Sequence, residues 1–273
     1  MIPVKPGIYP GVSEEEYFAL AALGCSDMKQ WVDGKRISGG RYLLIGSAFH
    51  DIIADPKGAA EKYATSDADF DLRTQGGKVA LQAFEMAQGK TCIRPTEREQ
   101  IKSMYRALKE HPATMPLLTA AKGDKECVCV ANFDPNRPEL LSKCRADFLI
   151  KKNGEYTAIV DWKTTSALSQ EEFVESIVKY RYDASAAYYV DIVWKLTGQF
   201  LPFFWACVSK RSYEVWLTKM DPLMYATGRR WFQDVMKLWE REVYYAGQWA
   251  GQDPQSDGGS AGGLRGGGEE PQE

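Results

Sequence analysis

The sequence predicts an α+β fold in which helices flank a mixed β-sheet. Helical periodicity and capping residues dominate residues 1–122. Alternating apolar and polar residues then indicate strands at about 125–133, 140–150 and 155–162. Two helices, two strands and a last helix follow, which gives the order β-β-β-α-α-β-β-α for residues 123–250. From these three observations we expect one domain, with a helical N-terminal part and a sheet-containing core.

Capping residues mark the beginnings of helices in the N-terminal part. Residues 1–12 carry three prolines and are expected to form an extended arm. Ser13 and Glu16 form a capping box for a short helix, and Ser26 is expected to cap a second helix that ends near Val32. A loop at 35–40 and an acidic loop at 65–74 are expected, with further helices at 41–54, 75–88, 96–110 and within 112–121.

After the hairpin, the expected order is two helices, two strands, a last helix and a tail. Ser169 caps a helix that continues to about Lys179, and the next helix runs from Tyr182 to a stop at Gly198. Strands are expected at 201–209 and 212–218, and the last helix at 221–245. Residues 251–273 are rich in glycine and acidic residues, which predicts a flexible acidic tail.

Composition indicates a soluble globular protein with no membrane contact. Of the 273 residues, 44% are hydrophobic, but no apolar run reaches the ~18 residues of a membrane span. The N-terminus lacks a signal-peptide pattern, so we expect a cytoplasmic location. The net charge is −3, and residues 251–273 alone carry five acids and one arginine. Because residues 1–250 then carry +1, a nucleic acid would have to bind through local patches.

The six cysteines favour reduced, buried thiols. No Cys-x-x-Cys pair occurs, and Cys127 and Cys129 alternate within a strand, so they share one face. This spacing argues against a disulfide framework, a zinc site and an iron–sulfur cluster.

The segment 144–165, CRADFLIKKNGEYTAIVDWKTT, combines a strong turn signal with charged residues on two strands. Asn153-Gly154 between two β-prone runs predicts a hairpin. The first strand carries Asp147 and the second carries Asp161. Lys163 lies two residues after Asp161 and therefore points to the same side of the sheet.

The length of the hairpin loop decides whether the two aspartates meet. A two-residue loop would place Asp147 opposite Val160 and turn the two carboxylates to opposite sides. A three-residue loop, 152–154, would place Asp147 opposite Ile159 and bring Asp147 and Asp161 to one side as diagonal neighbours. We expect the three-residue loop.

Two carboxylates on one side of a sheet suit Mg²⁺, which takes oxygen ligands and keeps several waters. Such an ion lowers the pKa of a bound water and neutralises charge that develops on a phosphate. Lys163 beside it would orient or deprotonate the attacking water, or stabilise an anionic transition state. An Asp-x-Lys sequence by itself is common, however, and equally fits an ordinary ion pair on a surface strand.

The helix at 41–54, RYLLIGSAFHDIIA, contains a second motif. Small residues at 46–48 allow this helix to pack closely against another element. His50, one of two histidines, is either a core or capping histidine, or a metal ligand or general base that the fold brings to the carboxylates.

Together these motifs resemble the PD-(D/E)XK nuclease superfamily and, within it, the RecE-type (exonuclease VIII-like) exodeoxyribonucleases. GSAFH at 46–50 is similar to that family's G-S-x-x-H helix motif, and CRADFL at 144–149 to its R-P-D strand. IVDWKTT at 159–165 is similar to its D-x-K-T-T strand, and KYRYDASAAYY at 179–189 to its Y-R-Y-x-x-Q-x-x-x-Y helix. Ala146 replaces the proline and Ser185 the glutamine, whereas Tyr189 is retained.

The resemblance implies a restriction-endonuclease-like core and a Mg²⁺-dependent exonuclease, with Mn²⁺ as a substitute, of a kind found in phages and prophages. Such an enzyme degrades the 5′-ended strand of linear double-stranded DNA. It leaves a 3′ single-stranded tail for an annealing recombinase and forms a homo-oligomeric ring around DNA.

The resemblance also implies roles for individual residues. Asp147 and Asp161 would bind metal with the backbone carbonyl of Trp162, and His50 would ligate a second ion. Lys163 would position or activate the water. Glu126, one strand earlier, and Tyr189 are secondary candidates; Glu126 either tunes the site through water or lies on the surface.

Basic residues near the expected cleft are candidates for contacts with DNA phosphates. They are Arg145, Lys179, Arg181, Lys210 and Arg211, together with Lys143, Lys151 and Lys152. Tyr180 and Tyr182 either stack on a frayed base or lie in the core, and we expect burial.

Three alternatives remain open on the sequence. The first is another nuclease of this fold, of a repair, restriction or CRISPR-adaptation type. The second is a non-catalytic DNA-binding module, and the third is an interaction protein whose tail makes the contact. The complete set of His50, Asp147, Asp161 and Lys163 favours catalysis over the last two.

Overall fold

The computed structural model describes residues 5–34, 41–119 and 121–244. The first four residues of the expected arm, the expected loop at 35–40 and the expected tail lie outside the described residues, as do residues 120 and 245–250. No helix in the described ranges is long and apolar enough to cross a membrane.

The main elements follow the expected order. Helices occupy Glu14–Ala19 (α1), Cys25–Asp33 (α2), Arg41–Ala54 (α3), Pro56–Lys62 (α4), Gln75–Gln88 (α5), Pro95–Glu110 (α6), Met115–Thr119 (α7), Gln170–Lys179 (α8), Tyr182–Thr197 (α9) and Pro222–Trp239 (α10), followed by a π-helical turn, Glu240–Tyr244. Strands occupy Gly7–Tyr9 (β1), Leu23–Gly24 (β2), Tyr63–Thr65 (β3), Thr91–Ile93 (β4), Lys122–Asn132 (β5), Leu141–Lys152 (β6), Glu155–Thr165 (β7), Phe203–Ser209 (β8) and Val215–Lys219 (β9). From β5 onward the order is β-β-β-α-α-β-β-α, as predicted.

Seven of the described strands form one mixed sheet. Their order is β1-β5-β6-β7-β8-β9, and β2 also pairs with β6. Strands β7 and β8 are parallel, and α8 and α9 supply the crossover that a parallel pair requires. The predicted α+β class, a mixed sheet flanked by helices, is confirmed. The sequence did not predict β3 and β4, which form a separate parallel pair.

Helices cover both faces of the main sheet. On one face, Tyr188 of α9 and Phe232 of α10 pack with Trp205 of β8 in a buried apolar cluster. On the other face, Phe49 of α3 packs in a second buried cluster that includes Trp162 of β7. The sheet is therefore the middle layer, and α3 lies across the face opposite α9.

The turn of the β6–β7 hairpin differs from the prediction. Its loop is Asn153-Gly154, because Lys152 faces Glu155, so the predicted three-residue loop is wrong. Both loop residues have positive φ, 54° and 88°, as a type I′ turn requires.

A bulge in β7 then changes the register. Lys151 faces Tyr156, but the next pair along the ladder is Ile150 and Ala158. Thr157 is therefore an extra residue, and every position beyond it is moved by one.

The bulge restores the meeting of the two aspartates. Phe148 faces Val160 at the end of the ladder, and one further step in this register would place Asp147 opposite Asp161. The three-residue loop would have paired Asp147 with Ile159, so the observed register differs from that prediction by two positions. Because side chains alternate with a period of two, a difference of two positions still leaves both carboxylates on one side of the hairpin.

Helix capping is as predicted at α1 and different at α2. Ser13 Oγ accepts the N–H of Glu16 at 3.1 Å, and the Glu16 carboxylate accepts the N–H of Ser13 at 3.0 Å. Ser26 does not cap α2, which begins one residue earlier. The N-cap is Gly24, whose N–H donates to the carboxylate of Asp27 at 2.8 Å.

Helix α10 approaches the first turn of α9 at Gly228. A Cβ at this position would lie 2.3 Å from the carbonyl oxygen of Asp183 and 2.7 Å from the nitrogen of Ala184. Because these are backbone atoms, they cannot move aside without shifting a helix.

Replacing Gly228 with alanine is therefore expected to destabilise the fold. We expect Gly228→Ala to lower the free energy of unfolding by about 1–3 kcal/mol through overpacking. The matched control is Gly76→Ala in α5, where nothing lies within 4 Å of the added Cβ. The control should leave stability unchanged or raise it by up to about 1 kcal/mol, because alanine favours helix. Chemical denaturation measures both, and equal stabilities for the two variants would contradict the close approach.

Candidate active site

Helix α3 carries His50 to the sheet. Phe49 is fully buried against the sheet, and a Cβ at Gly46 would lie 3.1 Å from Oγ1 of Thr164 in β7. The small residue therefore allows the close packing that the sequence suggested. The His50 side chain is 27% exposed, and its Nδ1 lies 3.4 Å from Oδ2 of Asp147.

Asp147 in β6 has partners on two other elements. Its Oδ2 accepts the backbone N–H of Trp162 in β7 at 2.8 Å. The same oxygen contacts His50 from α3, so this carboxylate joins the helix and the two strands at one point.

Strand β7 holds Asp161 and Lys163 as an ion pair. Nζ of Lys163 lies 2.6 Å from Oδ2 of Asp161. Asp161 is only 8% exposed, so this ion pair is largely shielded from water.

Strand β5 adds a third acid, Glu126, across from Asp147. Its φ of 48° is left-handed, which costs a non-glycine residue roughly 1–2 kcal/mol. Oε2 of Glu126 lies 3.0 Å from Nη2 of Arg145, so the side chain is paired rather than solvated. Backbone strain of this kind often accompanies functional sites.

Burial disfavours the charged form of each acid here, and the neighbours decide the net direction of each pKa. Burial would raise the pKa of Asp147, but the hydrogen-bonded imidazole of His50 outweighs it and lowers that pKa. Burial and the charge of Asp147 raise the pKa of Asp161 against the opposing effect of Lys163. Burial, with the charge of Asp147 added, raises the pKa of Glu126 to about 7. The site therefore crowds negative charge that a cation would relieve.

The pKa values of the two basic side chains, His50 and Lys163, are both raised. Burial would lower the pKa of His50, but Asp147 outweighs it and raises that pKa. Burial would also lower the pKa of Lys163, but Asp161 and Asp147 raise it well above the ordinary value. Asp161 thus has the ammonium of Lys163 beside it, and Asp147 has the imidazole of His50.

The donors of this site fit Mg²⁺. In the part of the chain that the structure describes, no three His, Cys, Asp or Glu side chains converge closely enough to enclose a metal ion. Mg²⁺ needs fewer, because one or two carboxylates bind it while waters and substrate phosphates complete its shell. Asp147 and Asp161 lie on neighbouring strands, close enough for the charge of Asp147 to raise the pKa of Asp161, and a bound cation would relieve that repulsion. His50 is a weaker match, since imidazole suits transition metals better.

The second helix motif places further groups beside the site. Tyr189 is half-buried against Phe203, and burial raises its pKa well above the ordinary value. Ser185, which stands where the related motif has glutamine, accepts a hydrogen bond from Nζ of Lys29 at 2.7 Å. No sequence pattern singles out Lys29. Burial lowers its pKa and the charge of Lys163 acts in the same direction, so the two lysines are within electrostatic reach.

Some of the predicted DNA contacts are accessible. Lys179, Arg211 and Lys152 are exposed. Lys210 lies beside the end of β7, where its N–H donates to the carbonyl oxygen of Thr165 at 2.7 Å.

Other predicted DNA contacts are paired with groups of the protein itself. Arg145 pairs with Glu126, and the guanidinium of Arg181 lies 6.0 Å from the ring centroid of Trp231. Lys143 is 5% exposed and donates to two backbone carbonyls, so its interpretation as a DNA contact is wrong. Lys151 pairs with Asp124 at 2.7 Å.

Residues 26–241 match the family described as a PDDEXK-like domain of unknown function (DUF3799). The chain belongs to this family. The matched range includes α3 and the β6–β7 hairpin, which carry the site. The predicted PD-(D/E)XK superfamily is therefore confirmed. No curated protein matches the chain.

A solved structure shares the fold of this PDDEXK-like chain. The crystal structure of a candidate exonuclease from Eubacterium rectale has a TM-score of 0.58, with 15% identity, over 88% of each chain. At this identity the similarity shows the fold alone. LHK-Exo in complex with dAMP aligns over 85% of this chain and 95% of its own at 12% identity, but its TM-score of 0.31 supports no inference.

Binding of Mg²⁺ should depend on Asp161. At about 10 mM Mg²⁺ we expect the melting temperature of the PDDEXK-like protein to rise by about 2 °C over an EDTA sample of equal ionic strength. Asp161→Asn should abolish this rise, because it removes one of the two facing carboxylates. Differential scanning calorimetry measures both.

The matched control is Asp134→Asn, which removes an aspartate that pairs with Arg137 in the turn after β5. This variant should keep the full rise with Mg²⁺. An equal rise in Asp161→Asn would mean that the ion binds elsewhere.

Proposed function

We propose that this protein is a Mg²⁺-dependent exodeoxyribonuclease that hydrolyses phosphodiester bonds from the ends of linear double-stranded DNA. The observation that carries the proposal is the meeting of His50, Asp147, Asp161 and Lys163 from one helix and two strands. An ordinary surface ion pair accounts for Asp161 and Lys163 alone. It does not account for the second carboxylate, that of Asp147, or for its contact with the imidazole of His50 from helix α3.

Each residue of the set has a distinct role in this proposal. Asp147 and Asp161 hold Mg²⁺, with the backbone carbonyl of Trp162 as a further oxygen. When bound, Mg²⁺ neutralises charge on the phosphate and lowers the pKa of a water. Lys163, anchored by Asp161, orients the attacking water and stabilises the negative charge that develops on the phosphate. His50 holds Asp147 in place and ligates a second ion.

The finer features follow from the similarity to RecE-type motifs. They are 5′-to-3′ polarity, a 3′ single-stranded tail, an annealing recombinase as partner and a homo-oligomeric ring. Because Arg181 lies over Trp231 and Arg145 pairs with Glu126, the phosphate contacts of this proposal are Lys179, Lys210 and Arg211.

A second candidate function is a non-catalytic DNA-binding module. It is favoured by the pairing of each facing carboxylate with a cation of the protein and by the lack of three converging metal ligands in the described residues. In such a module the two ion pairs would serve only to hold α3 on the hairpin. Other nucleases of this fold, which cut within a strand, are a third possibility.

The decisive experiment compares Lys163→Met with the wild type on blunt linear duplex labelled at the 5′ or the 3′ end. We expect Mg²⁺-dependent release of nucleotides from ends, with the 5′ label released first, and at least about 100-fold loss of rate in the variant. The matched control is Lys219→Met, which removes an exposed lysine from β9. It should cleave as the wild type does.

The outcomes separate the candidates. Cleavage of closed circular DNA would favour an endonuclease and reject the exonuclease proposal. Mg²⁺-independent binding of duplex with no cleavage under any divalent ion would favour the module. Prior release of the 3′ label would reject the proposed polarity.

A further inference from the structure

Two tyrosine rings form a row that leads from the ion pair to the surface. Nζ of Lys163 lies 5.4 Å from the ring centroid of Tyr182. The rings of Tyr182 and Tyr180 follow, with centroids 5.7 Å apart and planes tilted by 38°. Tyr180 is 52% exposed, so the expectation that it lies in the core is wrong, whereas Tyr182 is half-buried.

Lysines surround both rings. Nζ of Lys29 lies 5.8 Å from the centroid of Tyr182, and Nζ of Lys179 lies 5.3 Å from that of Tyr180. With Lys163, three cations therefore accompany two aromatic rings over the length of the row. This surface therefore combines aromatic faces with positive charge.

Hydrogen bonds from Lys29 of α2 hold the segment between α8 and α9 that carries the two tyrosines. Nζ of Lys29 donates to the carbonyl oxygen of Tyr180 at 3.2 Å and to Oγ of Ser185 at 2.7 Å. Arg181, between the two tyrosines, has a φ of 54° and rests on Trp231. The two rings are thus held in place before any ligand arrives, which limits the entropy lost on binding.

We infer that Tyr180 and Tyr182 are a stacking site for unpaired nucleotides at a DNA end, next to the reacting phosphate. The inference rests on the proposed function, because it takes the ligand to be a strand that reaches Lys163. Unpaired bases expose a π-face that an aromatic ring covers, while the flanking lysines neutralise the phosphates. Bases inside a duplex are covered by their neighbours, so the site distinguishes frayed ends from paired ones.

The stacking site implies a substrate preference. An end with unpaired bases occupies the rings without first breaking base pairs, whereas a blunt end has to fray. We therefore expect the protein to bind and degrade ends with two or three unpaired nucleotides better than blunt ends. Lys179 is exposed, so its ammonium is free to contact the phosphate of the nucleotide that stacks on Tyr180.

The test uses duplexes with a terminal 2-aminopurine, either unpaired or paired. The variants are Tyr180→Ala, which removes the ring, and Tyr180→Phe, which keeps it. The matched control is Phe200→Ala, which removes a ring that is 51% exposed and packs edge-on against Trp194 before β8. Fluorescence quenching in EDTA reports stacking without cleavage, and the ratio of kcat/KM on frayed and blunt ends reports preference in Mg²⁺.

Wild type and Tyr180→Phe should quench the unpaired probe and bind its duplex equally. Tyr180→Ala should lose the quenching and about tenfold in affinity for the unpaired end. Its preference for frayed ends should fall by a similar factor, while Phe200→Ala behaves as wild type. Equal quenching in wild type and Tyr180→Ala, or equal losses in Tyr180→Ala and Phe200→Ala, would overturn the stacking site.

The two proposals fail in different ways. If the wild type releases no nucleotides in Mg²⁺ yet quenches the unpaired probe through Tyr180, the nuclease proposal fails and the stacking site stands. If the wild type degrades ends but Tyr180→Ala has the same preference and quenching, only the stacking site fails.

Discussion

The structure depends on one electrostatic constraint: two carboxylates face each other on neighbouring strands, largely out of contact with water. Like charges at this separation repel strongly in a medium less polar than water. Each carboxylate has one basic side chain beside it, His50 from α3 for Asp147 and Lys163 from β7 for Asp161. The helix has to lie close to the hairpin for this purpose, and Gly46 and the buried Phe49 allow it to do so. Buried ion pairs contribute little to stability, so this arrangement is better explained by function.

The hairpin satisfies that constraint through two irregularities that compensate each other. A type I′ turn at Asn153-Gly154 gives a tight connection, but a regular ladder from it would turn Asp147 and Asp161 to opposite sides. The extra residue Thr157 moves β7 by one position and brings the carboxylates together. Deviations from regular pairing are common beside active sites because they redirect side chains. Glu126 shows the same effect on β5, where a left-handed residue lies across from Asp147.

Local signals in the sequence were sufficient for most helices and for the order of the core strands. The cap at Ser169 and the stop at Gly198 are local features of the chain, and the structure has both. The hairpin register was not predictable in this way, because an Asn-Gly pair specifies the turn but does not reveal a bulge three residues later. The parallel pair of β3 and β4 was missed for a related reason: three-residue strands leave too short an alternation to detect.

The candidate site shows the same division between local and tertiary information. Its acids and Lys163 lie on a recognisable hairpin, whereas Lys29 and the exposure of Tyr180 depend on how α2 packs beside α9. Lys29 lies in an ordinary helical pattern, yet it binds the carbonyl of Tyr180 and Ser185 at once. This arrangement gives a physical reason for serine at position 185. The Ser185 hydroxyl accepts a hydrogen bond from the ammonium of Lys29, which a second hydrogen bond joins to the carbonyl oxygen of Tyr180. The departure from the related motif therefore coincides with a lysine that another helix brings to this position.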